Sequence, residues 1–108
     1  MVNNKIYGIL GLASRARKVI SGTDVVIEAI KKNSVGIVII AEDASDKTKK
    51  NIKYYCEKYH IEYIVLGTIE ENSRIIGKNN RAIIGVSDVN FANGIKKEVH
   101  GGAYFGKN

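Results

Sequence analysis

Lys18–Ser45, KVISGTDVVIEAIKKNSVGIVIIAEDAS, decides the fold. Val19-Ile20-Ser21 is a short apolar step that fits an edge strand. Gly22 breaks it, Thr23 is placed to cap a helix, and Asp24 sits where the helix dipole favours a carboxylate. Val26, Ile27 and Ile30 then recur at helical spacing, with Ala29 alongside, which predicts a helix over 24–32. Asn33-Ser34 ends it. Val35–Ala41, VGIVIIA, is a continuous β-branched run bounded by turn residues, the pattern of a central strand buried on both faces. The stretch closes on a small acidic loop, Glu42-Asp43-Ala44-Ser45.

The flanking segments repeat this alternation. Ile6, Ile9, Leu10, Ala13 and Ala16 predict a first helix over 3–16, with Arg15, Arg17 and Lys18 crowding its end. Ser45 is placed to cap a helix over 46–59, whose inner face is Ile52, Tyr55, Cys56 and Tyr59 and whose outer face carries Lys47, Lys49, Lys50 and Lys53. Glu62–Leu66 reads as a strand. Thr68-Ile-Glu-Glu71 is a capping box opening a short helix that stops at Gly77. Ala82–Val86 is a further strand, and Ser87-Asp88 starts a last helix. Strands alternating with helices predict a three-layer α/β/α sandwich around a central mixed, largely parallel sheet of about four strands. A single domain over 1–100 and a flexible tail over 101–108 follow.

Composition narrows the function. The chain of 108 residues carries 17 Lys and Arg against 11 Asp and Glu, a net charge of +6, which suits a polyanionic partner. One cysteine excludes an internal disulfide, and no apolar run reaches the ~20 residues of a membrane span. With no continuous apolar block at the N-terminus, the expected location is the cytoplasm, away from membranes.

Catalytic patterns fail on inspection. Gly77-Lys78 is not a phosphate-binding loop, because Asn72 and Asn79 occupy two required positions. Gly8 and Gly11 lie within a helical pattern and follow no strand. Cys56 and His60 are four residues apart, but Cys56 belongs to the apolar stripe of its helix. Two histidines and one cysteine give no zinc-ligand spacing. Glu42-Asp43 lies where α/β enzymes place carboxylates, without a nucleophile beside it. The expectation is a non-enzyme with no catalytic residue, metal or cofactor.

A binding edge remains. The helix start at Gly22-Thr23-Asp24-Val25 presents backbone N–H groups suited to a phosphate or a base edge. Arg15, Arg17 and Lys18 come just before it. The loop Asp43-Ala44-Ser45 and the loop Gly77-Lys78-Asn79-Asn80-Arg81 should open at or near the same edge if the strands run parallel.

The pieces GLASRARK (11–18), SGTD (21–24), IVIIAEDAS (37–45), Thr48, Gly77-Lys78 and VSDVNFA (86–92) together resemble the ribosomal-protein family of kink-turn RNA binders, the large-subunit proteins "seven Ae" and "thirty e", in particular its bacterial YlxQ-like branch. The resemblance implies an α/β/α sandwich that binds structured RNA, ribosomal or otherwise kink-turn-like, with the ribosome as a further partner. With the edge read above, the candidate RNA-binding residues are Arg15, Lys18, Gly22, Thr23, Asp24, Val25, Asp43, Ala44, Ser45, Lys78 and Arg81. In the family a G-x-N-E-x-x-K segment reads sheared G·A pairs. Here Gly22 matches, whereas Asp24, Val25 and Glu28 replace the Asn, Glu and Lys. Those departures leave an alternative, a protein-interaction module of the same fold without kink-turn recognition.

Overall fold

The computed structural model describes residues 4–103. Five helices and four strands follow one another: α1 (Asn4–Arg15), β1 (Val19–Ser21), α2 (Thr23–Lys31), β2 (Ile37–Ile40), α3 (Asp46–Lys58), β3 (Glu62–Val65), α4 (Ile69–Ile75), β4 (Ile83–Val86) and α5 (Val89–Glu98). A π-helical turn, Val99–Ala103, extends α5; the rest of the expected tail, 104–108, lies outside the described residues.

The sheet order is β1-β4-β2-β3. Successive side chains of a strand point to opposite faces, so β2 divides its residues between two cores. Ile37 and Ile39 pack with Ile6, Leu10 and Ala13 of α1 and Ala92 and Ile95 of α5. Val38 and Ile40 pack with Val26 and Ile30 of α2 and Ile52 and Cys56 of α3. All four β2 residues are buried, as are all four of β4. The sandwich therefore has three layers, with α1 and α5 on one face and α2 and α3 on the other.

The sheet is mixed, but it is less parallel than the alternation of elements suggests. Only β2 and β3 pair parallel; β4 pairs antiparallel with both β1 and β2. The path of the chain after α4 produces this. The seven residues of α4 rise only about 10 Å, and the chain then doubles back, so that the Arg81 N–H donates to Ser73 Oγ at 2.8 Å. β4 thus starts at the edge where β3 ended. β1, β2 and β3 share one direction and β4 opposes them.

Helix starts follow the sequence closely, with one exception. Ser45 Oγ accepts from Thr48 N at 3.1 Å, the Thr68–Glu71 capping box is complete, and Asp88 caps α5. Thr23, however, is the first residue of α2 and not its cap. Gly22 holds the cap position, because its φ of 104° turns the chain one residue earlier than a threonine would. No helix among the described residues is long and apolar enough to cross a membrane.

Cys56 is completely buried, and desolvation, with the Glu57 carboxylate adding to it, pushes its thiol up to about 12 from the ordinary 9.0. Tyr7 is pushed up to about 12 by burial and by Glu71 and Glu42. Both groups keep in the fold a proton that the unfolded chain gives up earlier. Their stabilisation is therefore complete below about pH 9 and is lost as pH rises towards 12. Denaturation midpoints should be flat from neutral pH to about 9 and fall above it, and the thiol should resist a disulfide reagent at pH 8 until denaturant is added. Fast reaction of the native thiol would show that the α3 core opens readily.

Candidate nucleic-acid interface

Because β1, β2 and β3 share a direction, their C-terminal ends and the start of β4 meet at one edge. Four backbone hydrogen bonds join them. Gly22 N donates to Ile83 O at 2.9 Å and Ala41 N to Ala82 O at 3.0 Å. Glu42 N donates to Gly67 O at 2.7 Å and Leu66 N to Ile40 O at 2.9 Å. Beneath the edge, the Tyr7 hydroxyl donates to Asn72 Oδ1, and Asn72 Nδ2 donates to Leu66 O at 2.9 Å. A Cβ on Gly67, whose φ is +66°, would collide with both side chains.

The start of α2 is the chemically open part of this edge. Gly22 supplies no side-chain cap. Val26 N donates to Gly22 O, so intrahelical bonding begins at Val26 and the N–H groups of Thr23, Asp24 and Val25 precede it. A helix N-terminus in this state carries partial positive charge and a set of directed donors. The Arg81 guanidinium lies over it: a Cβ on Gly22 would stand 3.6 Å from Arg81 Nη1. Arg81 Nε is closed to solvent and has no hydrogen-bond partner among the described residues. Val25 is 53% exposed beside these donors, and Asp24 and Glu28 are exposed on the same helix.

The other expected residues divide. Lys78 is exposed and belongs to two clefts. One, of about 740 Å³, runs between Asp43 and the segment Gly77–Asn80. The second, of about 420 Å³, lies beside β1 and is lined by Ser14, Arg17, Val19, Ser21, Ile76 and Lys78. Asp43 and Ser45 have local duties: Asp43 Oδ1 accepts from Ile69 N at 2.8 Å and ties its loop to α4, while Ser45 caps α3. The Ala44 side chain is buried. Lys18 sits at the opposite end of β1, where its carbonyl accepts from Ser87 N at 2.8 Å and Ser87 Oγ at 3.0 Å. Arg15 is exposed at the end of α1, its Nη1 reaching back towards Gly11.

Arg17 and the loop residues Asn79 and Asn80 line these clefts, as does Arg74, which no sequence pattern singles out. Arg17 carries a signal visible only in the backbone. It follows α1 with φ 61°, and Lys18 N donates to Ala13 O at 2.9 Å, the bonding of a left-handed helix stop where glycine is favoured. A non-glycine residue there costs about 1–3 kcal/mol. Arg17→Gly should therefore raise the melting temperature while weakening any ligand held in the smaller cleft. Gly22→Ala should do the reverse to stability, lowering it by about 1–3 kcal/mol through the positive φ alone. An unchanged melting temperature for Gly22→Ala would mean that the turn relaxes at no cost.

Comparison with known proteins agrees with this architecture. The sequence model of the "Ribosomal protein L7Ae/L30e/S12e/Gadd45 family" matches residues 4–93. The RNA-binding protein YlxQ of Bacillus subtilis (strain 168) is 40% identical over 87 residues, covering 81% of this chain and 87% of that protein. YlxQ of Enterococcus faecium is 35% identical over 97 residues, covering 90% and 93%. Among solved structures, a Bacillus halodurans protein of unknown function superposes with a TM-score of 0.85 at 35% identity, covering 89% of this chain and 97% of that one. The 15.5 kD RNA binding protein of Giardia lamblia superposes with a TM-score of 0.78 at 15% identity, over 91% and 87%, which is a likeness of fold.

Proposed function

We propose that this chain, which belongs to the ribosomal protein L7Ae/L30e/S12e/Gadd45 family, is a non-catalytic RNA-binding protein that grips structured RNA at the start of α2. The observation that carries the reading is the uncapped helix N-terminus at Gly22 with the Arg81 guanidinium above it. Its relatives in B. subtilis and E. faecium are described as RNA-binding proteins.

The chemistry suits RNA. The N–H groups of Thr23, Asp24 and Val25 donate to a phosphate or to a base edge, and the planar guanidinium of Arg81 supplies a fork of donors for phosphate oxygens. Lys78 and Arg17 flank this point on the two clefts and set phosphate register without reading sequence. The ionised Asp24 carboxylate has only acceptors, so it selects the amino edge of a guanine and repels phosphate. Val25 offers an exposed apolar contact to a base face. Such a surface fits an irregular RNA whose bases are unstacked better than a regular A-form helix. Kink-turn-like RNA, ribosomal or otherwise, is the target this reading favours, with the cytoplasm as the place of action.

Nothing gathered at this edge requires catalysis. Its groups bind through charge and backbone donation, and the one thiol lies in the α2–α3 core.

Binding to a kinked RNA duplex should weaken linearly with log salt, by about 0.7–0.9 in slope per phosphate neutralised. Replacing Lys78 and Arg81 by Ala should reduce that slope by about one unit for each phosphate contact removed. A duplex whose G·A pairs are changed to Watson–Crick pairs should bind at least about tenfold more weakly, about 1.4 kcal/mol. Equal weak binding to both duplexes, unaffected by the double substitution, would favour the protein-interaction module instead.

A further inference from the structure

The outer face of α3 has no part in the edge described above, and its composition is unusual for a merely solvated helix. The helix carries five lysines against two carboxylates. Lys47, Asn51, Tyr54 and Lys58 form one exposed stripe at i, i+4, i+7 and i+11, and Lys50 lies one turn before Tyr54. Tyr54 is 56% exposed in the middle of this stripe.

The aromatic rings and ammonium groups alternate in space. Lys31 Nζ, from the end of α2, lies 5.1 Å from the Tyr55 ring centroid. Tyr55 and Tyr54 meet edge to face, with centroids 5.0 Å apart and planes at 79°. Lys58 Nζ is 5.8 Å from the Tyr54 ring and 5.7 Å from the Tyr59 ring. One of the two carboxylates, Glu57, accepts from the Tyr63 hydroxyl at 3.1 Å on the neighbouring β3.

We infer that this face is a second RNA contact, a stacking platform for a single-stranded segment that leaves the edge at α2. The inference rests on the RNA-binding reading and extends it to a distinct surface. Three observations choose the occupant. Lysines interleaved with an exposed tyrosine are the combination that holds single strands, with charge tracking the backbone and a ring stacking a base. A protein partner would be expected to meet a surface poorer in lysine. A membrane would need an exposed apolar helix face, whereas the apolar side of α3, Ile52 and Cys56, is buried in the core. Continuity supports the path: α3 begins directly after the loop Glu42–Ser45, and the stripe from Lys47 to Lys58 runs about 16 Å away from it.

The test compares two RNAs by fluorescence anisotropy: a blunt kinked duplex, and the same duplex with a uridine extension of about ten nucleotides, within the site size of single-strand binders. The extension should tighten binding to the wild-type chain about fivefold or more, the low end of one stacked base. Tyr54→Ala should abolish that gain and leave the blunt duplex unaffected, while Tyr54→Phe should keep it. Replacing Lys47, Lys50 and Lys58 by Gln should flatten the salt dependence of the extended RNA alone. No gain from the extension, or a gain that survives Tyr54→Ala, overturns the inference while leaving the edge reading intact. Tyr54-dependent binding of free oligouridine without duplex binding supports the platform and removes the edge. Failure to bind any of these RNAs removes both.

Discussion

Two hydrogen bonds at the start of β4 hold the molecule's edge together. The carbonyls of Ala82 and Ile83 accept from Ala41 and Gly22, at 3.0 and 2.9 Å. They join the ends of β1 and β2, which are not neighbours in the sheet, through the strand that runs against both. Without that insertion the turn at Gly22 and the loop after β2 would be separate features on separate strands. With it, the start of α2, the loop 77–81 and the acidic loop 42–45 are fixed relative to one another by backbone. Side chains can then vary at the edge without altering its frame.

The same constraint explains where strain and charge collect. Gly22 must turn through a positive φ to pass from a strand bonded to β4 into a helix on the opposite face, and this leaves α2 without a side-chain cap. Arg81, the residue two before β4, is carried over that helix start. Arg17 sits in a left-handed conformation at the mouth of the adjoining cleft. Such outliers persist where the surrounding fold over-determines them, and they concentrate at functional sites. The negative groups are as informative. Asp24 and Glu28 lie on the exposed side of α2, so any RNA there must be admitted through Arg81, Lys78 and the helix N-terminus.

Much of this frame is legible in the sequence. The apolar run Val35–Ala41 announces β2, the Thr68–Glu71 box and Ser45 announce α4 and α3, and the three-layer arrangement follows from alternation. The direction of β4 does not, because apolar periodicity carries no polarity; the antiparallel register of β4 against β2 and the hydrogen bond from Arg81 to Ser73 show that the chain doubles back. The basic cluster shows the same limit. Arg15, Arg17 and Lys18 are equivalent as charges in a string, but in the fold Arg17 lines the cleft beside β1, Lys18 is bonded through its carbonyl to Ser87, and Arg15 reaches back towards Gly11. Asp43, Ala44 and Ser45 read as a binding loop, whereas in the fold one is buried and two brace helices.

RNA that docks on the backbone donors at the start of α2 must perturb their amides. Amide chemical shifts, followed by NMR during titration with a kinked RNA duplex, test this residue by residue. The N–H resonances of Thr23, Asp24 and Val25 should move furthest, downfield as they donate to RNA, with smaller shifts at Gly22, whose N–H stays bonded to Ile83 O, and at Lys78 and Arg81. Saturable binding that leaves those amides in place and shifts only residues remote from this edge would contradict docking there.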